Sequence, residues 1–393
     1  MTWFGKQWLY YGPWMFAVLF GLFCVAFYLP LSSKATNNIF YVGLALPCLG
    51  WLLLKPNALV LLVRPFGWFF VLIIALSVLD ARGVAGLKKA LYLLLFFCSC
   101  LLLQRRRWDV NALYEVCAWV GVGVLAFITV DWIWIWQNSG KFLRYGRFLG
   151  EPINPVHFSL IISSAMIYIW LFRLADTCER RSPWMLSVGL FLLVCAVLLC
   201  ATVFQSRSTL VGLVLFYVGY LIYRRMIFLG LATLLALGAL GALLFFVGVD
   251  ELLLRRGFSY RLDIWQDAWG RLIAVCGFWT GCGSDEYLFL GRFEHPHSGY
   301  FAMLYRSGLF GVLLFFLFAL LWSVYVLRVR SKWFLLSLFG WGSLLTTSNG
   351  VLTSPQPLWI YFWLPVFMAI LDSQRGAVTS YFQERRISCT AQS

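Results

Sequence analysis

The chain has 393 residues, of which 62% are hydrophobic and 12% charged, and it carries a formal net charge of +15 at pH 7. About a quarter of a soluble globular domain is charged, so this composition excludes one, and the mean hydropathy of +0.83 belongs to a chain built for lipid. The apolar runs are continuous and about twenty residues long, which excludes a transmembrane β-barrel and leaves an all-α, polytopic integral membrane protein.

In chain order the runs predict spans at 13–30, 38–54, 65–80, 89–103, 112–130, 157–173, 185–204, 209–223, 227–248, 298–321, 333–347 and 357–371. That is about twelve membrane helices. The first run is followed at once by others and lacks a small-residue cleavage site, so it reads as a retained helix. Basic clusters at Lys55 to Arg64, Arg105-Arg106-Arg107, Arg180-Arg181, Arg224-Arg225, Arg328 to Lys332 and Arg385-Arg386 fall in alternate loops. The positive-inside rule turns those loops, and both termini, toward the cytoplasm, as an even number of spans requires. The result is a single polytopic domain, 1–393, with two sizeable external loops at 131–156 and 249–297.

The first external loop opens on Asp131-Trp-Ile-Trp-Ile-Trp, which fits an interfacial belt, and its Gly and Pro breaks place Arg147 in a turn before the sixth span. The second is about fifty residues, too long for a structureless connector. Within it, Tyr260 to Ile273 sets Leu262, Trp265, Trp269 and Leu272 near helical spacing, predicting an amphipathic helix at the membrane surface. Gly277, Gly281 and Gly283 mark the turn beyond it, and His295-Pro296-His297-Ser298-Gly299-Tyr300 closes the loop. Most cysteines sit inside apolar spans as small hydrophobes, but Cys276 and Cys282 share this loop, where an oxidising compartment would permit a disulfide.

Lys141, Arg144, Arg147, Arg207, Arg255, Arg256, Arg261, Arg271 and Arg292 are external, where topology alone disfavours so much positive charge. The surplus points to an anionic substrate such as a pyrophosphate, with anionic headgroups as the competing reading. Basic residues scattered over separate loops of a membrane scaffold do not fit nucleic acid. A metal reading would draw on His295 and His297 with Asp285, Glu286 and Glu294. Pro296 separates the two histidines and no Asp-x-Asp pair lies on this side, so neither metal nor cofactor is assigned. A transporter or flippase of an anionic lipid-linked saccharide would place charge deep in its spans, whereas here it gathers at one face.

Phe204-Gln205-Ser206-Arg207-Ser208-Thr209, at the start of a span, resembles the Ser-Arg-small signature of the O-antigen ligase and polymerase superfamily. Arg261-Leu-Asp-Ile-Trp265, Gly281-Cys-Gly283, His297-Ser-Gly-Tyr300-Phe-Ala-Met-Leu304 and Gly308-Leu-Phe-Gly311 follow in that family's order, and Arg147 with Gly150 and Asn154-Pro155 is similar to an earlier element. The resemblance covers roughly 140–315; Ser298 departs from it, standing where asparagine is common. It implies a membrane-type (GT-C-like), inverting, metal-independent glycosyltransferase. Its donor would be O-antigen polysaccharide on undecaprenyl pyrophosphate, and its acceptor a sugar hydroxyl of lipid A-core. A polymerase using the same donor is the alternative.

The residue chemistry agrees. Glycosyl transfer from a pyrophosphate needs a base for the acceptor proton and cations for the leaving group, and a lipid-linked donor supplies energy where no nucleotide is available. His297 is assigned as base or acceptor-orienting group, and Arg207, Arg261 and Arg147 as the pyrophosphate clamp. Arg255 and Arg256 line the entrance or touch lipid, His295 competes with His297, and Tyr300 and Trp265 read as supports. His157 reads as a satisfied polar packing residue. The topology predicts that reporter fusions at residues 105 and 225 report cytoplasmic and those at 145 and 285 external; a cytoplasmic signal at 285 would remove the scheme.

Overall fold

The computed structural model describes residues 3–54, 66–81, 83–105, 110–226, isolated positions between 230 and 239, 260–347 and 350–373. Its helices are α1 (Trp3–Ala26), α2 (Ser33–Leu54), α3 (Gly67–Ala81), α4 (Val84–Arg105), α5 (Val110–Ser139), α6 (Pro155–Arg181), α7 (Pro183–Val203) and α8 (Arg207–Arg224), then α9 (Arg261–Arg271), α10 (Gly299–Leu327), α11 (Lys332–Ser343) and α12 (Trp359–Ser373). Among the described residues, 6 helices are long and apolar enough to cross a membrane, beside shorter apolar ones. The protein is thus a largely helical, multi-pass membrane protein. The expected span 227–248 lies largely outside the described residues, as do Arg255 and Arg256; every other expected span overlaps a helix.

Two local expectations are corrected. The loop placed at 131–156 begins only at Gly140, because α5 runs on to Ser139. No Gly or Pro interrupts the tryptophan-rich run, and Asp131 within it accepts from the Tyr145 hydroxyl at 2.7 Å, which ties the loop back to α5. Arg147 is not in a turn but in β1 (Arg147–Phe148), which pairs antiparallel with β2 (Glu151–Pro152), a small departure from an all-α fold.

Helix starts follow from local chemistry. Asn154 caps α6 by accepting from Val156 N and His157 N, with Pro155 in the first turn, where a missing N–H costs nothing. Ser182, Ser298 and Ser331 cap α7, α10 and α11 through their hydroxyls. Where α8 crosses α11 the backbones come close: a Cβ on Gly212 would lie 2.7 Å from the Phe339 carbonyl oxygen.

The central helix is α12, buried from Leu358 to Leu371. Trp359 packs on Phe23 of α1, Phe40 of α2 and Phe96 of α4, Phe367 on Phe69 of α3, Trp363 on Phe318 of α10, and Phe362 on Trp341 of α11. Outer helices instead show Val42, Leu53, Val116, Val214 and Phe316 to the surroundings. Without a hydrophobic drive between helices in lipid, interlocking of large rings supplies the packing.

The two ends of the bundle differ. At one, Glu115 pairs with Arg173, Asp176 with Arg224 and Lys332, and Glu179 with Arg224. This end also holds Arg180, Arg181, Arg225 and Arg328. The other end carries the 140–154 segment, α9 and the loop to Pro296.

That loop is fastened to α10 by an interlock. The helix breaks at Gly308, whose φ of 63° and ψ of −166° are open to glycine alone. At the break Cys282 N donates to Tyr305 O and Gly283 N to Arg306 O (both 2.8 Å), while Leu309 N donates to Phe278 O and Phe310 N to Trp279 O. A Cβ on Gly308 would sit 2.6 Å from Gly281 N, and one on Gly281 would sit 2.5 Å from Arg306 O. The Cys276–Cys282 disulfide closes the same loop. Gly308→Ala is therefore expected to destabilise the protein by at least about 1–3 kcal/mol, read as a lower unfolding temperature in detergent. Gly123→Ala, whose Cβ meets nothing within 4 Å, should change little.

Candidate active site

Helix α9 joins the loop end through one face. Ile264, Ala268 and Leu272 are buried at helical spacing against Phe289 and Tyr305. Leu262 and Trp269, expected on the apolar face, are 66% and 44% exposed, a stripe that a helix at a membrane surface would turn to lipid. Two apolar stripes run along α9, and the one that meets Tyr305 is buried. Trp265 belongs with the buried stripe: its Nε1 donates to Pro296 O at 2.8 Å and its ring stacks on Phe301 at 5.7 Å. Trp265 thereby ties α9 to the His295–His297 segment. Tyr300 donates to Trp341 O at 2.7 Å.

The two histidines lie with ring centroids 4.1 Å apart and differ in their hydrogen bonding. His297 takes a left-handed backbone, φ 56°, uncommon for a side chain of its size. In that conformation its N–H donates to His295 Nδ1 at 3.3 Å. The lone pair of His295 Nδ1 is thus engaged within the loop and its Nε2 carries the proton, while the His297 ring packs against the rings of Phe293 and His295. Burial holds His297 below its ordinary value, and the Arg261 guanidinium adds to this. For His295, burial is again the main cause, with His297, Arg306 and His157 acting in the same direction, and the result is about 4. Both rings are neutral near pH 7, the state a proton acceptor needs.

Arg207 opens α8 immediately after the tight turn Phe204-Gln205-Ser206, in which Gln205 is left-handed at φ 48°. The first N–H groups of α8 and the Arg207 guanidinium give this point positive character. Below it, Ser206, Thr209 and Ser159 form a buried hydroxyl chain, 2.9 and 2.7 Å per link. Arg144 reaches this turn, its Nε donating to Phe204 O at 2.9 Å, whereas Arg147 is exposed on the hairpin. The turn at Leu344–Thr346 links the two halves of the site: Ser208 Oγ donates to Thr346 O, and Gly299 N to Leu344 O.

Two further cations of the surplus have partners in the loop. Arg271 pairs with Asp285 at 3.2 Å, and Arg292 lies over the Tyr260 ring at 4.4 Å. His157 is not the satisfied packing residue expected: its buried Nδ1 has no hydrogen-bond partner among the described residues, and its ring stacks on Tyr361 at 6.4 Å.

Three residues were missed in the sequence. Arg306 is half-buried within α10 and acts electrostatically on His295; an ionisable residue inside an apolar span was the signal that could have found it. Asp80, fully buried at the end of α3, pairs with Lys89 of α4 at 3.0 Å. Arg306 and Asp80 flank Gly350, where a Cβ would lie 2.9 Å from the guanidinium and 4.0 Å from Asp80 Oδ1. Among the described residues the one cluster with metal-ligand spacing is Cys276, Cys282 and Asp285, and its two sulfurs are spent in the disulfide.

Fold and site together define a multi-pass helical membrane protein with a cationic, histidine-bearing site at one end of its bundle. Over 401 aligned positions, covering 95% of this chain and 93% of its relative, the sequence is 27% identical to an O-antigen ligase of Pseudomonas aeruginosa. This is a distant homology, at the level of the superfamily. No protein-family model and no solved structure matches the chain.

The depressed histidines give a pH signature. In the unfolded chain both titrate near 6.5, while in the fold His295 takes up its proton only near 4. Between these values the unfolded state binds more protons, so stability rises with pH through the window and is lost on acidification. Unfolding temperature in detergent is expected to be level above about pH 7 and to fall from 6.5 toward 4. His295→Asn should flatten that fall.

Proposed function

We propose that the protein is an inverting membrane glycosyltransferase that moves O-antigen polysaccharide from undecaprenyl pyrophosphate to a sugar hydroxyl of lipid A-core. The site would face the periplasm from the inner membrane, with the basic end of the bundle in the cytoplasm. The observation that carries this reading is the turn at His297, which Trp265 of α9 ties to the helix that opens with Arg261, so that a neutral imidazole sits in the field of a guanidinium. The Arg207 turn lies across the Leu344–Thr346 link, and the full-length similarity to an O-antigen ligase favours ligation over polymerisation.

His297 accepts the proton of the acceptor hydroxyl as its oxygen attacks the anomeric carbon of the donor's first sugar. The bond from that carbon to the pyrophosphate oxygen breaks, configuration inverts, and undecaprenyl pyrophosphate leaves with its charge held by Arg207 and Arg261. Arginine suits the clamp because its forked donors match paired phosphate oxygens and its charge is fixed. Arg147, exposed on its hairpin, meets the glycan or headgroups at the entrance, and Arg144, at the Arg207 turn, is the nearer third cation.

With purified protein, lipid-linked donor and lipid A-core, His297→Ala should lower turnover by about 100- to 10,000-fold while donor binding persists. Arg207→Ala and Arg261→Ala should weaken both donor binding and turnover, with poor rescue by lysine. His295→Ala should cost less than His297→Ala; the reverse order would show that the base is misassigned. A strain lacking the protein should make core without long chains and accumulate lipid-linked polymer.

A further inference from the structure

The face of α9 turned away from His297 lines an open cavity of about 550 Å³. Asp263, Gln266, Asp267, Gly270 and Arg271 form its helical wall, Ala274 and Val275 extend that wall past the helix end, and Tyr287 and Leu290 of the following loop face it. The helical residues recur at the spacing of one helix face, while Arg261 and Trp265 point toward the histidines. One helix diameter, about 10 Å, therefore separates the cavity from the proton acceptor.

The wall is preorganised. Asp267 accepts from the Tyr287 hydroxyl at 2.9 Å and from Leu290 N at 3.2 Å. Arg271 lies over the Tyr287 ring at 4.1 Å and is held by Asp285 and the Tyr305 hydroxyl. Asp263 and Gln266 are exposed to the cavity and have no protein hydrogen bond among the described residues. Gly270 leaves the middle open, since a Cβ there meets nothing within 4 Å. Two carboxylates face one guanidinium already paired with a third, so the surface repels a pyrophosphate, unlike the site across the helix. Carboxylate and carboxamide groups side by side match vicinal hydroxyls, and the Tyr287 and Leu290 carbons offer an apolar patch for the C–H face of a pyranose.

We infer that this cavity is a saccharide subsite, holding by hydrogen bonds a sugar of one of the two glycans that the transfer joins. The inference rests on the proposed transfer, and two sources share its chemistry: the carrier-linked polymer and the core acceptor. Binding energy gathered there, away from the reacting atoms, would hold the chain in register for attack.

The test uses the full chain in nanodiscs with two probes, the host's core oligosaccharide freed of lipid and its O-polysaccharide freed of carrier. Two variants are compared with wild type: Asp263→Ala combined with Gln266→Ala, which removes exposed hydrogen-bonding groups, and Gly270→Trp, which fills the space. Both should weaken binding of one probe by about tenfold or more. Both should also raise KM for the corresponding substrate while kcat stays within about twofold. Weakening toward core oligosaccharide assigns the subsite to the acceptor, and weakening toward O-polysaccharide to the donor chain. Unchanged affinity for both probes in both variants, or no binding of either by wild type, overturns the subsite even if transfer proceeds. Binding that both variants weaken, in a protein without transfer activity, keeps the subsite and removes the proposed reaction instead.

Discussion

The loop end of this protein depends on the exchange of backbone hydrogen bonds between residues 278–283 and the broken turn of α10 at Gly308. A helix interrupted near the apolar region leaves peptide groups that lipid cannot satisfy, so a break persists only where other protein backbone answers it. Here the answering segment also carries the disulfide and follows α9. One interlock thus fixes α9, and through Trp265 the His295–His297 turn, to the helix bearing Arg306.

Charge is handled differently at the two ends. At the basic end, cations from α6, α8 and α11 are tied to Glu115, Asp176 and Glu179, a network that crosslinks helices. At the loop end the histidines are held neutral by burial and by nearby guanidinium groups. Those guanidinium groups favour an anion and, by the same field, keep the imidazole deprotonated. In the proposed reaction, anion binding and proton acceptance would therefore draw on one set of charges. An arriving phosphate would relax that field and raise the basicity of His297 when the substrate is present.

Helices were legible because an apolar run of spanning length has few alternatives, and caps such as Asn154-Pro155 announce their starts. The order of short motifs was legible too, and the residues at 261, 265, 295 and 297 come together. What escaped was non-local. The buried stripe of α9 is chosen by Phe289 and Tyr305, far along the chain, and the period of α9 fits either stripe. Gly281 read as a turn glycine, but its reason is the close passage of Gly308. Asp80 and Lys89 stood at the facing ends of the predicted spans 65–80 and 89–103, and only the packing of α3 on α4 brings them together, with the carboxylate buried.

The position of α12 bears on how the protein is made. A ribosome delivers α1 to α11 before Trp359, yet rings from α1, α2, α3, α4, α10 and α11 all close on this later helix. Until it enters, the earlier helices enclose a centre with nothing to fill it, and lipid or an insertion chaperone must occupy that place. Assembly is then a late event gated by the arrival of one segment. A nascent chain stalled short of it would be a loose set of inserted helices, open to membrane quality-control proteases.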